Sequence, residues 1–101
     1  MRHARFDVAT ASLDRKPLQL KASYLLVAEA DQGELPHWEC LAYTVDDTPV
    51  PQGTYRVDIT TLEGRYLMGD AVLVRSVDGA HVLRGTGVLH GITDEDLGPA
   101  D

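Results

Sequence analysis

The 101-residue chain is poor in cysteine and aromatic residues, and it has no long apolar run. Its single cysteine, Cys40, has no partner for an internal disulfide, and one thiolate is too few for a structural zinc site. Wholly apolar runs such as Ala71–Val74 fall far short of the ~18 residues that a membrane-spanning helix needs. The fold must therefore be held together by side-chain packing alone.

Basic side chains are also few, because 16 acidic residues stand against 9 basic ones and give a formal net charge of −7. This balance argues against nonspecific binding to nucleic acid or anionic lipid, since both rely on basic surface. The amino terminus has basic residues but lacks the apolar core of ~7–15 residues that a secretory signal contains, so we expect a cytoplasmic protein.

What the chain does have is a series of short, apolar-alternating segments separated by turn residues. The alternation predicts strands at residues 5–13, 18–28, 37–45, 54–61, 71–77 and 80–89. Between Leu18 and Ala28 every even position is apolar, and Leu25 and Val27 add apolar residues on the opposite face. The dipeptide Asp78-Gly79 predicts a tight hairpin with positive φ angles between the last two strands.

The strand pattern indicates an all-β fold. About six or seven strands within about 90 residues, with no convincing helix, predict a small antiparallel β-barrel or a two-sheet sandwich. Residues 1–92 are expected to form the single β domain, and residues 93–101 an acidic tail. Thr93 and the acids behind it suit a helix amino terminus, but the segment is short, so we expect one helical turn or a frayed tail.

The sequence Gly85-Thr86-Gly87 is a glycine pair with two interpretations. A dinucleotide-binding loop needs a third glycine three residues further on, where this chain has His90. On one face of a strand, the pair instead leaves space for close cover by an aromatic ring such as Trp38. We therefore expect Gly85→Val and Gly87→Val each to destabilise the fold by about 1–3 kcal/mol.

No cluster of residues has the spacing of a catalytic or metal site. The four histidines, His3, His37, His81 and His90, are scattered singly, so no metal or cofactor is predicted. Cys40 in a strand is expected to be a small buried hydrophobe, and no serine lies in a nucleophile elbow. The acidic residues cluster in turns and in the tail, where carboxylates are usually solvated. No catalytic residue is assigned.

A ligand site at the mouth of the barrel is the one candidate binding site. Buried tyrosine hydroxyls need partners, and a barrel end with one or two polar groups forms a small pocket. We predict that Trp38, Tyr43 and His81 line this pocket. A volume of ~300 Å³ or more with convergent polar groups would support the prediction.

The spacing of turn glycines and apolar residues from Leu18 to Gly91 also carries a resemblance. Its elements are Gly53-x-Tyr55-x-Val57, Thr61-x-Glu63-Gly64-Arg65, Gly69, and His81-Val82-Leu83 followed by Gly85-x-Gly87. This order resembles small actinobacterial β-rich domains of unknown function that are sometimes attached to flavin monooxygenases. The chain departs from them in lacking a Trp-Tyr-Gly segment after Trp38. The resemblance implies an accessory domain and assigns no functional residue.

Three functional hypotheses follow from the sequence. The first is a noncatalytic accessory or protein-interaction module that forms a homodimer, for which Leu25 with Val27 and Ala71 with Leu73 are candidates for an apolar outer face. The second is a small-ligand carrier or small enzyme that uses the barrel mouth. The third is an acidic inhibitor of a nucleic-acid-binding protein, with carboxylates along one face. Neither direct binding of nucleic acid nor a membrane partner is expected.

Overall fold

The structure is a computed structural model that describes residues 2–30 and 34–97. Its elements are β1 (His3–Leu13), β2 (Lys16–Pro17), β3 (Leu20–Ala28), β4 (His37–Thr44), β5 (Thr54–Thr61), β6 (Tyr66–Val77), β7 (Ala80–Gly85) and a 3-10 turn at Asp94–Leu97. The strands pair antiparallel in the order β1-β3-β4-β7-β6-β5, and β5 pairs again with β1. The fold is therefore a closed six-stranded barrel, with the short β2 paired against the end of β1.

The barrel consists of two three-stranded meanders, β1-β3-β4 and β5-β6-β7. The first strands of the two meanders pair with each other, and so do the last strands, β4 and β7. This arrangement confirms the all-β prediction and selects the barrel over the sandwich. Closure hides the edges of the six barrel strands, which would otherwise be open to pairing with another chain.

Alternate residues of the barrel strands point inward and fill the interior. The largest fully buried side chains are Leu25, Val27, Cys40, Val57, Ile59, Leu67, Leu73, His81 and Leu83. The interior of a closed barrel widens with the number of strands, and a barrel of eight strands has an interior just wide enough for side chains. Six strands therefore enclose a packed core, and any pocket has to lie at an end of the barrel or on its outside.

Two pairs of residues that were predicted to form an apolar outer face lie instead in this core: Leu25 with Val27, and Ala71 with Leu73. The reason is that β3 is apolar on both faces, so alternation alone does not determine which face is inside. Ser23 shares the inner face because its hydroxyl donates a 2.8 Å hydrogen bond to the Leu41 carbonyl oxygen. The even face points outward, and Leu26 on it is 42% exposed.

The strand bounds in the second half also differ from the prediction. β6 begins at Tyr66, five positions early, because inward alternation already starts at Leu67. Gly69 is consequently a strand residue and not part of a turn. β7 ends at Gly85, and Leu89 packs against the core from the segment that follows. The hairpin at residues 78–79 is confirmed, with φ angles of 51° and 81°.

The segment after β7 covers one end of the barrel. His90 pairs with Met68 of β6, and Leu97 in the 3-10 turn is 5% exposed. Arg65 holds this turn through two hydrogen bonds to the Asp96 carboxylate, of which Nη2 to Oδ2 measures 2.8 Å. The predicted single helical turn is confirmed, whereas residues 98–101 of the predicted acidic tail lie outside the described residues.

Candidate functional site

The structure does not bring the three predicted ligand-binding residues together. Trp38 and His81 are both inside the barrel and are 3% and 2% exposed, but Tyr43 points outward from β4. Trp38 lies near one end of β4, and His81 contacts Thr44 at the other end. Trp38 and Thr44 are six positions apart along β4, which corresponds to about 20 Å. They therefore belong to two different places in the molecule.

Trp38 closes the barrel end that the carboxyl-terminal segment covers. A Cβ atom added at Gly85 would lie 2.1 Å from the indole Nε1, and one added at Gly69 would lie 2.8 Å from Cζ2. The indole N–H donates a 3.0 Å hydrogen bond to the carbonyl oxygen of Gly87. The predicted aromatic cover is confirmed at Gly85. At Gly87 it is wrong, because a Cβ there would have no atom within 4 Å.

The opposite end of the barrel has a cavity of about 420 Å³, here called the mouth cavity. It is lined by Leu13, Lys16, Pro17, Leu18, Gln19, Thr44, Asp46, Thr48, Pro49, Val50, Pro51, Tyr55 and His81. Its outer wall is the mouth loop, residues 45–53 between β4 and β5, in which prolines fix the backbone around Val50. The volume falls within the range of small-molecule sites.

The polar wall of the mouth cavity is a chain of four hydrogen bonds centred on His81. Its Nε2 lies 2.9 Å from the Thr44 hydroxyl, which donates to the Asp46 carbonyl oxygen at 2.8 Å. On the other side, Nδ1 lies 2.8 Å from the Ser76 hydroxyl, which accepts the Val50 N–H at 2.8 Å. We call this chain the His81 relay. Burial lowers the pKa of the imidazole, and the charge of Asp46 opposes that shift.

Sequence reasoning found His81 but missed its two hydroxyl partners. Thr44 is 37 positions away in sequence and Ser76 is 5 positions away. Strand alternation marks the Thr44 position as inward, but a lone threonine or serine in a strand carries no signal of a partner. Only the register of β4 and β6 against β7 puts the hydroxyls on either side of the ring.

The side chains with reactive chemistry are sequestered or already paired. Cys40 is fully buried, and desolvation raises the pKa of its thiol to about 11. Because the thiolate is the nucleophile, this thiol is inert at neutral pH. Within residues 2–30 and 34–97, no group of three or more His, Cys, Asp and Glu side chains is arranged to hold a metal ion.

An apolar surface outside the barrel lies on β3, β4 and β7, and is here called the outer face. Strand register aligns its outward residues in three rows: Leu26, Glu39 and Arg84; Tyr24, Leu41 and Val82; and Ala22, Tyr43 and Ala80. The Tyr24 and Tyr43 rings meet edge to face, with centroids 6.5 Å apart. A groove of about 650 Å³ crosses the Trp38 end of this face, beside Leu26.

Paired charges lie on and beside the outer face. Register places Arg5 of β1 beside Leu26 and Asp7 beside Tyr24, and the Arg5 guanidinium lies 4.2 Å from the Tyr24 ring centroid. Arg5 pairs with Asp7 at 3.7 Å, and Arg84 pairs with Glu39 at 3.8 Å. Two arginines thus balance two carboxylates. The entire excess of seven negative charges lies elsewhere in the chain.

The chain matches no protein-family model, no curated protein and no solved structure. In the described part of the chain, no helix is long and apolar enough to cross a membrane. The mouth cavity and the outer face are the two features of the described residues that bear on function.

Proposed function

We propose that the protein is a noncatalytic β-barrel interaction module of the cytoplasm that self-associates through its outer face as a two-fold homodimer. The observation that carries this proposal is the combination of an apolar surface and a balanced set of charges on a molecule of net charge −7. An accessory role for such a module agrees with the resemblance to small β-rich accessory domains.

The noncatalytic part of the proposal rests on the state of the reactive side chains. Catalysis by a nucleophile or general base needs a group that is accessible and free to exchange a proton. The Cys40 thiol is buried, and both His81 nitrogens already bond to hydroxyl groups. The outer face is the surface that these internal contacts leave available for a partner.

A second copy of the chain suits the outer face better than another acidic protein does. Two copies with net charge −7 repel each other, and this repulsion is least where the local charges cancel. A two-fold interface brings the same patch of both copies together, so it needs charges of both signs within the patch. Arg5 with Asp7 and Glu39 with Arg84 supply them. Each barrel strand has a partner strand on either side, although not along its full length, so a face offers a larger surface for association than a strand edge does.

Sedimentation velocity at rising protein concentration tests the proposal. The wild-type chain should have the mass of a dimer at a protein concentration of about 100 µM or lower. That upper concentration is well above the micromolar dissociation constants of ordinary interfaces. Leu26→Lys places a charge at the groove of the outer face and should shift the chain to monomer. Leu62→Lys is the matched control, because Leu62 is 69% exposed in the β5–β6 turn and should leave the dimer intact.

A monomeric wild-type chain at about 100 µM, or a dimer that survives Leu26→Lys, would contradict the proposal. Unfolding curves of both variants serve as the check on folding. Leu26 and Leu62 are each exposed in the single barrel, so neither change should alter the monomer's stability by more than about 0.5 kcal/mol.

The mouth cavity favours a second candidate function, that of a small-ligand carrier. Its volume of about 420 Å³ and its wall of leucine, valine, proline and tyrosine side chains suit a compact apolar molecule. Titration with small aromatic probes, followed by NMR, should then shift the signals of Val50 and His81 before any others. Equal shifts at Leu26, on the outer face, would rule out a site confined to the mouth.

A further inference from the structure

The His81 relay begins and ends on the mouth loop. One end is the N–H of Val50 and the other is the carbonyl oxygen of Asp46, so the imidazole ties both halves of the loop to the barrel wall. Pro49 and Pro51 have no N–H, which makes Val50 the one backbone donor in that tripeptide. Its bond to Ser76 is therefore the one hydrogen bond that a backbone N–H of this tripeptide makes to the barrel wall, and the Tyr55 hydroxyl separately holds the Pro51 carbonyl oxygen.

The donors and acceptors along the relay determine the tautomer of the His81 ring. The Thr44 hydroxyl has one proton and lies 2.8 Å from the Asp46 carbonyl oxygen, which can only accept. Thr44 must therefore accept from His81, and Nε2 carries the proton. Nδ1 is then the acceptor for the Ser76 proton, while the Ser76 oxygen accepts from Val50. Every group in the relay is satisfied by the neutral Nε2–H tautomer alone.

We infer that the His81 relay is a proton-released latch on the mouth loop, which holds the loop across the mouth cavity while His81 is neutral and frees its central segment when the ring is protonated. The relay lies at the other end of the barrel from the groove on the outer face. The latch therefore does not depend on whether the chain forms a dimer.

Protonation disrupts the relay at Ser76. A charged imidazole donates from both nitrogens, so the Ser76 oxygen would have to accept from both Nδ1–H and Val50. Its own proton would lose Nδ1 as its acceptor, and because Ser76 is only half-buried, its side chain can turn towards solvent. Relaxation of the Ser76 side chain to regain an acceptor removes the partner of the Val50 N–H. The Thr44 side of the relay is unaffected, because Nε2 donates in both states.

The charges around the ring permit this switch within an accessible pH range. Asp46 of the mouth loop favours the charged ring, while β4 and β6 contribute only the neutral hydroxyls of Thr44 and Ser76. Lys16 of β2 and Tyr55 of β5 line the same cavity. Desolvation dominates and lowers the His81 pKa below its ordinary 6.5, so release is expected on the acid side of that value.

Two NMR measurements on the full chain between about pH 7.5 and about pH 5 test the inference. The first is the imidazole ¹⁵N spectrum at the higher pH, which should show a proton on Nε2 and none on Nδ1. The second is amide hydrogen exchange. Once intrinsic rates are corrected for, protection of the Val50 amide should fall by about tenfold as His81 is protonated, while that of Val57 in β5 should not.

Two variants distinguish release of the latch from a general loss of structure at acid pH. Ser76→Ala should leave the Val50 amide unprotected at both pH values, whereas His37→Gln, at an exposed histidine of β4, should change nothing. A proton on Nδ1 in the neutral ring would overturn the inference, even if Ser76→Ala fails to fold. Val50 protection that stays constant through the His81 titration, or that falls together with that of Val57, would overturn it as well.

Discussion

At the scale of single residues, the contact between Trp38 and Gly85 has the tightest geometry in the barrel. The indole occupies the space where a Gly85 side chain would be, with Nε1 only 2.1 Å from that position. Any larger residue must therefore displace the ring that closes the barrel end. Gly87, two positions further on, contributes a carbonyl oxygen to the same indole but has open space at its Cα.

We therefore predict that Gly85→Ala destabilises the protein by about 1–3 kcal/mol, the usual cost of overpacking a well-filled core. Gly87→Ala is the matched control and should change the free energy of unfolding by less than about 0.5 kcal/mol. Denaturant melts of the two variants measure both quantities. Equal midpoints for Gly85→Ala and the wild type would show that Trp38 does not pack as described.

Individual residues at the two ends of the barrel show which parts of a site a sequence can predict. The glycine pair predicted close aromatic cover, because a bare strand face has few other uses. The His81 relay was not predictable, since the hydroxyls of Thr44 and Ser76 belong to two other strands. Tyr43 failed as a pocket residue because it follows the inward Ala42 on β4 and so points outward.

At the scale of elements, the strands with one apolar face were predicted well and those with two were not. β5 has the predicted bounds, Thr54–Thr61, because polar and apolar residues alternate along it without a break. β3 was assigned the wrong outer residues, since apolar residues occur on both of its faces. In β1 a bulge between Val8 and Thr10 shifts the alternation, so that Val8 and Ala11 both point inward. No pattern in the sequence marks that shift.

The 3-10 turn at Asp94–Leu97 depends on the ion pair of Asp96 with Arg65. The hydrogen bonds from Arg65, opposed by desolvation, lower the pKa of Asp96 from 3.8 to about 2. A carboxyl group whose pKa is lower in the folded state stabilises the fold above its unfolded pKa, and this contribution is lost as the pH falls through about 2. Residues 93–97 of the predicted acidic tail are therefore not simply a solvated segment, as their composition had suggested.

We predict that Asp96→Asn lowers the free energy of unfolding by about 1–2 kcal/mol at neutral pH, the value of a charge-assisted contact that is partly exposed. The difference from the wild type should shrink as the pH is lowered from about 4 towards about 2. Urea melts across that range measure it, with the exposed neighbour Glu95→Gln as the control. A difference that does not depend on pH would mean that the ion pair contributes nothing.

At the scale of the whole molecule, the sequence predicted an antiparallel β fold, but it predicted neither all of the core nor the surface that the proposed function uses. Strand spacing predicts how many strands a chain of this size can form, and closure then follows from the pairing of β1 with β5. The outer face, by contrast, exists only through the register of β3, β4 and β7, which aligns apolar residues from three distant segments. Apolar residues such as Leu26 and Leu41 therefore lie on the outside of the barrel.

The central claim, that two copies meet through the outer face, is tested most directly by a mixed-label NMR experiment. One copy carries a spin label at Ala22→Cys, in the row of the outer face farthest from the groove, and the other carries ¹³C-labelled methyl groups. Buried Cys40 should not compete for the label. In the copy without the spin label, the methyl signals of Leu26, Leu41 and Val82 should broaden. A spin label at Leu62→Cys should leave these signals sharp. Broadening confined to methyl groups outside that face, or none at about 500 µM, would contradict the claim.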